Sequence, residues 1–334
     1  MSRDVEISAV VATYNRSDAL QRAIQGLLAQ EGCSAGHEVI IVDNNSTDRT
    51  RSVVESFVHR ADVPLRYIFE QKQGVSHARN AGIAAARGAI IAFLDDDVTP
   101  APSWLLTLHR AFCTSPTAGF VGGKVLPEWE APPPAWITRD HWMPLALVDY
   151  GDTPSAVNAT NRLGLISANL AVRRSALERA GLFAPELQRV KDRIGSMEDH
   201  EFLERLVGQG IEGLYVPDLI TTTRVPVRRM EREYHRRWHA GHGHFYAIMR
   251  SDELEPPSGR RLFGVPAYLY KQAAGDVAGL FRSWWSATPE QAAKFEMRLC
   301  FFGGFVRKRY ADILSERTAR RNQLHWPNSH GRLQ

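Results

Sequence analysis

The 334-residue chain is predicted to be an α/β protein: a doubly wound, mostly parallel sheet with helices on both faces, followed by a helical C-terminal extension. Two observations carry this expectation. Over about the first 125 residues, short and continuously apolar runs alternate with helical stretches, as parallel strands buried on both faces require. Beyond about residue 226, apolar residues recur instead at helical spacing among arginines and lysines.

The strand-like runs are Val5–Ala12, Val39–Val42, Leu65–Phe69 and Ala89–Leu94. Helical stretches fall between them at about 17–30, 47–60 and 75–87, with Ser17 and Ser46 as expected N-caps. Trp129–Trp136 contains three consecutive prolines, which fix the backbone and remove donors, so regular structure stops there. From 140 to 165 the pattern is loop-like. Order returns with a strand at Leu165–Val172, a helix at about 174–181, a polar loop at 186–197, a helix at about 198–208 and a strand near Leu214–Val216. In the last third, Tyr270, Ala273, Val277, Phe281 and Trp284 share one helical face, and Phe295, Leu299, Phe302 and Val306 share another.

Composition bounds the function. With 44% hydrophobic residues the chain can bury a sizeable core. The N-terminus runs straight into a strand, so no secretory leader is expected, and no apolar stretch reaches the ~18 residues of a membrane span. Cys33, Cys113 and Cys300 are scattered without metal or redox spacing. These features fit a cytoplasmic protein. The net charge of +4 hides an asymmetry: residues 224–334 carry 20 Lys and Arg against 10 Asp and Glu, whereas residues 1–223 carry 21 against 27. A basic tail on an acidic body suggests an anionic partner, either lipid headgroups or nucleic acid; the apolar stripes among its basic residues favour peripheral contact with an anionic membrane surface, and nucleic acid is not the expected partner.

The chemistry-bearing residues cluster where the strands end. Asp95-Asp96-Asp97 closes the fourth apolar run, and three adjacent carboxylates are tolerable when a cation or a ring of donors neutralises them. The first run ends in Tyr14-Asn15-Arg16, the second in Asp43-Asn44, and the segment after the third carries Arg79-Asn80. Open α/β sheets bind ligands at this edge. Two other patterns carry no site. Gly208–Gly213 matches GxGxxG but lies between a helix and a strand, the reverse of the nucleotide-binding order. His235, His239, His242 and His244 lack a third-ligand pattern, and Gly241 and Gly243 are expected to end their helix.

In content and order these motifs resemble the family 2 glycosyltransferases of the GT-A fold, over roughly residues 5–225. The resemblance implies a GT-A domain at 1–225, with a nucleotide-sugar half at about 1–125 and an acceptor half at about 126–225, and a basic helical extension at 226–334. Phe93–Asp97 looks like the family's DxD segment, so Asp97 would hold a divalent cation (Mn2+ or Mg2+), with Asp95 and Asp96 at the ribose and the cation's surroundings. Tyr14, Asn15 and Arg16 match the base- and phosphate-binding turn. Asp43 and Asn44 match the uracil-side pair, and Arg79 and Asn80 the donor-contacting segment. Ser167–Arg174 looks like the acceptor-side strand, bringing Asn169. Met197-Glu198-Asp199 looks like the ED motif, with Asp199 as catalytic base beside Glu198. Tyr234–Trp238 is similar to the QxxRW motif with its Gln missing, which would place Trp238 on the acceptor side.

Two departures stand out. Thr223 occupies the position where many relatives carry a metal-ligating His, and Asp43-Asn44 replaces an Asp-Asp pair. The implied activity is inverting transfer of one sugar from a nucleotide-diphospho-sugar, with UDP-type donors favoured, to a glycan or lipid-linked acceptor hydroxyl. A sugar nucleotidyltransferase would want a Gly-rich basic loop after the first strand, which Ala12–Arg16 lacks. A noncatalytic glycan- or membrane-binding module is the other alternative, and the presence of both Asp97 and Asp199 speaks against it.

Overall fold

The computed structural model of the chain describes residues 5–188, 194, 197–250, 254, 255, 259–286 and 289–324. Much of the expected polar loop at 186–197 therefore lies outside the described residues. The chain forms two compact units, Met1–Glu231 and Arg232–Gln334.

In the first unit β1 (Val5–Thr13), α1 (Ser17–Leu28), β2 (Gly36–Asp43), α2 (Thr50–Val58), β3 (Leu65–Phe69), α3 (Val75–Ala85) and β4 (Ile90–Asp95) alternate. Their strands lie in the order β3-β2-β1-β4, all parallel. The chain continues through β5 (Val98–Pro100), α4 (Trp104–Thr114), β6 (Phe120–Trp129), β7 (Ser155–Val157), β8 (Leu170–Arg173), α5 (Arg174–Ala180), α6 (Glu198–Gly208) and β9 (Gly213–Val225). These strands extend the same sheet as β4-β8-β6-β9-β5, with β7 also on β9. β8 runs antiparallel to its neighbours β4 and β6, whereas β6 and β9 are parallel. The interiors of β1, β2 and β4 are buried because helices cover both faces, which is why these runs are apolar throughout rather than alternating.

Four details depart from the sequence expectation. Ser17 and Ser46 cap no helix; one carboxylate, Asp48, serves two. Its oxygens accept from the Ser17 amide at 3.0 Å, opening α1, and from the Thr50 amide and hydroxyl at 2.9 and 2.5 Å, opening α2. Burial opposes the charge, but these bonds prevail and hold Asp48 below the usual aspartate value. Residues 104–129, to which the sequence pattern assigns no element, form α4 and β6. The expected strand at Leu165–Val172 is replaced at its start by a 3-10 turn, Ser167–Asn169, and only then becomes β8. Finally, β9 has 13 residues where a short strand is expected. Its pairing with β6 jumps from Gly123↔Val216 to Lys124↔Ile220. Pro217 cannot donate to a ladder, so the strand bulges there and resumes. Gly123 permits the bulge, because a Cβ on it would stand 1.9 Å from the Leu219 carbonyl oxygen.

The second unit contains α7 (Arg232–Met249), the two-stranded ribbon β10 (Arg261–Leu262) and β11 (Val265–Pro266), α8 (Ala267–Ser286) and α9 (Pro289–Leu324). Gly241 and Gly243 do not end α7, which runs through both. A Cβ on Gly243 would stand 2.0 Å from the Phe301 carbonyl oxygen, and one on Gly304 would stand 1.9 Å from that of Ala240. These glycines are there so that α7 and α9 can touch backbone to backbone. The apolar stripe expected on α8 is also redrawn. Leu269, Ala273, Asp276 and Ser283 face inward, whereas Val277 and Phe281 are 43% and 61% exposed. Asp276 pairs with Arg298 of α9, and this ion pair turns a polar position into the unit. The Trp284 and Trp285 side chains lie outside the described residues. On α9, Phe302 and Val306 pack against the buried cluster of Ala247, Val265, Leu269 and Phe305. Among the described residues no helix is long and apolar enough to cross a membrane.

Candidate active site at the carboxyl edge of the sheet

Register brings the strand ends level. Thr13 pairs with Asp43, Asp43 with Phe69, and Ala12 with Asp95, so β1 to β4 release their chains along one line. The turns after them supply the polar residues.

The acidic triplet is held by donors. Asp96 is buried and receives the Thr13 hydroxyl at 2.8 Å and the Arg16 guanidinium at 2.9 Å. Arg16 also reaches Asp97 at 3.1 Å. Burial pushes the Asp96 carboxyl above its ordinary value despite Arg16, and Asp96 in turn drives the Arg16 guanidinium still further from deprotonation. Asp97 has a second cationic neighbour, Arg229, at 3.5 Å. Thr223 stands opposite Val98 in the β5–β9 ladder, and its hydroxyl donates to the Asp97 carbonyl at 3.1 Å. The position that the resemblance reserves for an imidazole therefore supports the backbone of Asp97.

Arg79, on α3, links this triplet to the start of α6. Its guanidinium is buried and lies 3.2 Å from Asp95, 3.1 Å from Glu198 and 3.3 Å from Asp199, with the Phe183 ring beneath it at 5.4 Å. Desolvation disfavours its charge, and the surrounding Asp199, Asp95 and Glu198 more than compensate, so Arg79 stays protonated. Asp199 also accepts from the Ser167 amide at 3.2 Å and the Ser167 hydroxyl at 3.0 Å. Its side chain is 23% exposed, so an edge of the carboxylate is open to a ligand. Burial raises the Asp199 pKa above the ordinary aspartate value; Arg79 opposes the shift and Glu198 adds to it.

A second polar group forms at β1 and β2. Asn15 adopts φ 51° and accepts from the Thr47 amide at 2.7 Å. Asp43 accepts from the Ser46 amide and the Tyr67 hydroxyl, both at 2.8 Å, and burial together with Asp43 pushes the Tyr67 phenol up to about 12. The Asn44 amide donates to the Lys72 carbonyl at 2.6 Å and accepts from the Gly74 amide at 2.7 Å, fixing the chain that leads into α3. Tyr14, half-buried, immediately precedes Asn15 and Arg16 in sequence.

Three expected site residues have other structural engagements. The Asn80 amide clasps Phe183, donating to its carbonyl at 2.9 Å and accepting from its amide at 3.0 Å. Asn169 is fully buried, donates to the Lys124 and Leu219 carbonyls at 2.8 Å each, and accepts from the Trp104 indole at 2.8 Å, so it stitches the β6–β9 bulge. Trp238 belongs to the second unit, where it stacks on His242. Conversely, Thr13, Ser167 and Arg229 touch the acidic groups and are not singled out by the sequence. Ser167 lies inside the acceptor-side segment, whereas Arg229 follows the expected domain and carries no motif.

The donor set suits one divalent cation. Asp95, Asp96, Asp97, Glu198 and Asp199 meet Arg16, Arg79 and Arg229, so five carboxylates against three guanidinia leave two negative charges when all are ionised. Among the described residues no three His, Cys, Asp or Glu side chains form a cage. Magnesium-type ions commonly use one or two carboxylates and complete their shell with water and ligand phosphates. Of the triplet, Asp95 and Asp97 have side chains 33% and 23% exposed, whereas Asp96 is buried, so the first two are open enough to contribute.

Comparison with known proteins decides the family. The profile of Glycosyl transferase family 2 matches residues 8–181, just over half of the chain, and includes the ends of β1 to β4 but not Glu198, Asp199, Thr223 or Arg229. The chain belongs to this family. A curated relative, the glucosyl-dolichyl phosphate glucuronosyltransferase of Haloferax volcanii, is 32% identical over 142 residues, 42% of this chain and 44% of that protein. The match thus spans less than half of that relative's length. Solved structures extend the likeness in fold to nearly the whole chain. The mannosyltransferase PcManGT from Pyrobaculum calidifontis, in complex with GDP-Man and Mn2+, superposes with a TM-score of 0.60 at 18% identity, covering 92% of this chain and 87% of that one. S. aureus TarS 1–349 in complex with UDP gives 0.52 at 17% identity, covering 91% and 92%. The architecture of this family 2 member is therefore GT-A: a mostly parallel sheet between helices, with a helical C-terminal part.

Proposed function

We propose that the chain transfers a single sugar from a nucleotide-diphospho-sugar to an acceptor hydroxyl, with inversion at the anomeric carbon. The observation that carries this reading is the Arg79 hub, which ties Asp95 of the donor-side triplet and Asp199 of the ED pair to one guanidinium. Asp199 serves as base. It takes the acceptor proton as the acceptor oxygen bonds to the anomeric carbon and the carbon–oxygen bond to the diphosphate breaks. Glu198 is buried and paired with Arg79, so it is not placed to act as a second nucleophile. A divalent cation, when bound with the donor through Asp97 and Asp95, would supply Lewis-acid stabilisation of the departing nucleoside diphosphate. Arg16 beside Asp97 adds a fixed positive charge at the same place.

The donor is of UDP type in this reading. Asp43 already accepts two bonds, yet a carboxylate offers about four acceptor sites, enough to take a uracil N–H as well. Tyr14 would pack against the base and Asn15 would shape the turn that receives it. A screen of UDP-, GDP- and dTDP-sugars with Mn2+ or Mg2+ tests the donor assignment. The matching donor at about 100 times its Kd should stabilise the fold by about 2.7 kcal/mol and release nucleoside diphosphate on turnover. Pyrophosphate release from a nucleoside triphosphate and a sugar phosphate would instead make the chain a nucleotidyltransferase.

The acceptor is proposed to be a lipid-linked or cell-surface glycan, met at the inner face of the cytoplasmic membrane. Exposed Phe263, Phe281 and Leu314 on the basic second unit support contact with anionic headgroups. Phe263→Ser combined with Phe281→Ser should lower co-sedimentation with anionic vesicles and spare donor hydrolysis. Equal sedimentation of variant and wild type would remove the membrane assignment.

A further inference from the structure

We propose that Arg229 is a diphosphate-contacting residue, working beside Arg16 on the phosphates of the donor; this rests on the donor reading above. The argument begins with how Arg229 arrives at Asp97. β9 ends at Val225, paired with Trp129 at the end of β6, and Pro226 then turns the chain. Glu130 fixes that turn from both sides. One of its oxygens accepts from the Arg224 guanidinium at 2.9 Å and the other from the Val227 amide at 3.0 Å. A 3-10 turn over Val227–Arg229 follows, in which the Arg229 amide donates to the Pro226 carbonyl at 2.9 Å. The turn brings the Arg229 side chain back to the Asp97 carboxylate at 3.5 Å, while Arg228 beside it faces solvent.

The chemistry of the place selects a phosphate ligand. Arg16 and Arg229 approach the same Asp97 oxygen, at 3.1 and 3.5 Å, so two guanidinia converge at the carboxylate assigned to the donor side. Arg229 is 16% exposed, close enough to the surface to meet a ligand and buried enough for its charge to act in a reduced dielectric. A guanidinium offers several donors in a planar fork that matches phosphate oxygens. Thr223 meanwhile spends its hydroxyl on the Asp97 carbonyl, so β9 brings no imidazole to the cation. This strand instead delivers, six residues later, a permanent positive charge. A cation on Asp97 and the two arginines would then share the charge of the leaving diphosphate.

The test is equilibrium binding of uridine, UMP and UDP to the full-length chain, in EDTA and in saturating Mn2+, by calorimetry. In EDTA, Arg229→Ala should weaken UDP by about 10- to 100-fold and leave uridine unchanged, with a smaller loss in Mn2+. Arg229→Lys should fall between, and Arg228→Ala should match the wild type. Equal UDP affinity in Arg229→Ala and wild type would overturn the assignment. So would a parallel loss for uridine, which would mark a change of shape rather than a lost phosphate contact. Failure of the wild type to bind any nucleoside diphosphate would overturn the donor reading itself, and the inference with it.

Discussion

Asp199→Asn should reduce kcat by about 10²–10⁴-fold while nucleoside diphosphate affinity changes little, because the substitution removes the proposed base and spares the donor side. The amide retains an acceptor oxygen for Ser167, so the start of α6 should remain in place. Stability gives an independent check. Burial raises the folded-state pKa of Asp199, so this group favours the folded state most at low pH and loses that contribution as pH rises through the folded pKa. Asp199→Asn removes a carboxylate whose ionised form burial disfavours, so it should hold or raise the melting temperature. The same shift sets the pH profile. The acidic limb of kcat/KM should lie above the ordinary aspartate value of about 3.9, and activity should fall as pH drops through it. Full activity in Asp199→Asn would end the base assignment. An acidic limb at the ordinary value would show that burial does not tune the group.

Arg79→Ala should cost about 3–5 kcal/mol of stability, or roughly 6–20 °C in melting temperature for a unit of this size. The reason is the charge left behind. Asp95, Glu198 and Asp199 would face one another without their shared cation, and one Glu198 oxygen already has no hydrogen-bond partner among the described residues. Arg79 opposes the burial-driven rise of the Asp199 pKa, so without it Asp199 would move further towards protonation and the deficit should shrink as pH falls from 8 towards 5. Arg79→Lys keeps the charge but cannot span three carboxylates, and it should recover part of the stability and little activity. A deficit independent of pH would mean that lost packing against Phe183, rather than uncompensated charge, is responsible. The two variants separate the roles: Asp199→Asn should leave the fold intact, and Arg79→Ala should disturb fold and turnover together.

The first four strands are legible in the sequence because each is buried on both faces and is therefore apolar along its length. Their polar ends are legible for the complementary reason, since little else explains Asp43-Asn44 and Asp95-Asp96-Asp97 placed directly after such runs. What escapes is everything fixed by distant partners. β9 reads as a short strand because Pro217-Asp218 interrupts it, and only pairing with β6 restores it beyond the bulge. Ser17 and Ser46 read as caps by residue type, but Asp48 stands between two helix starts and serves both. Gly241 and Gly243 read as helix breakers, although close contact with α9 makes Gly243 a requirement for α7. In the site, motif order brings Arg79 to notice, but only the fold places its guanidinium among three carboxylates. Arg229 has no local signature at all; it reaches Asp97 through a turn pinned by Glu130, nearly 100 residues away in sequence.

The bulge in β9 has a consequence for how this chain can change its length. Pairing slips by three residues between Gly123 and Lys124, an odd number, and side chains on a strand alternate between faces. Every residue of β9 beyond Leu219 therefore owes its orientation to the parity of that slip. Losing or gaining one residue among Pro217, Asp218 and Leu219 would exchange the two faces, turning Thr223 away from Asp97 and altering the approach of Arg229. Two residues could be added or removed together with the alternation preserved. Insertions of even and odd length at this point are thus unequal: one kind lengthens a loop, the other dismantles a wall of the candidate active site.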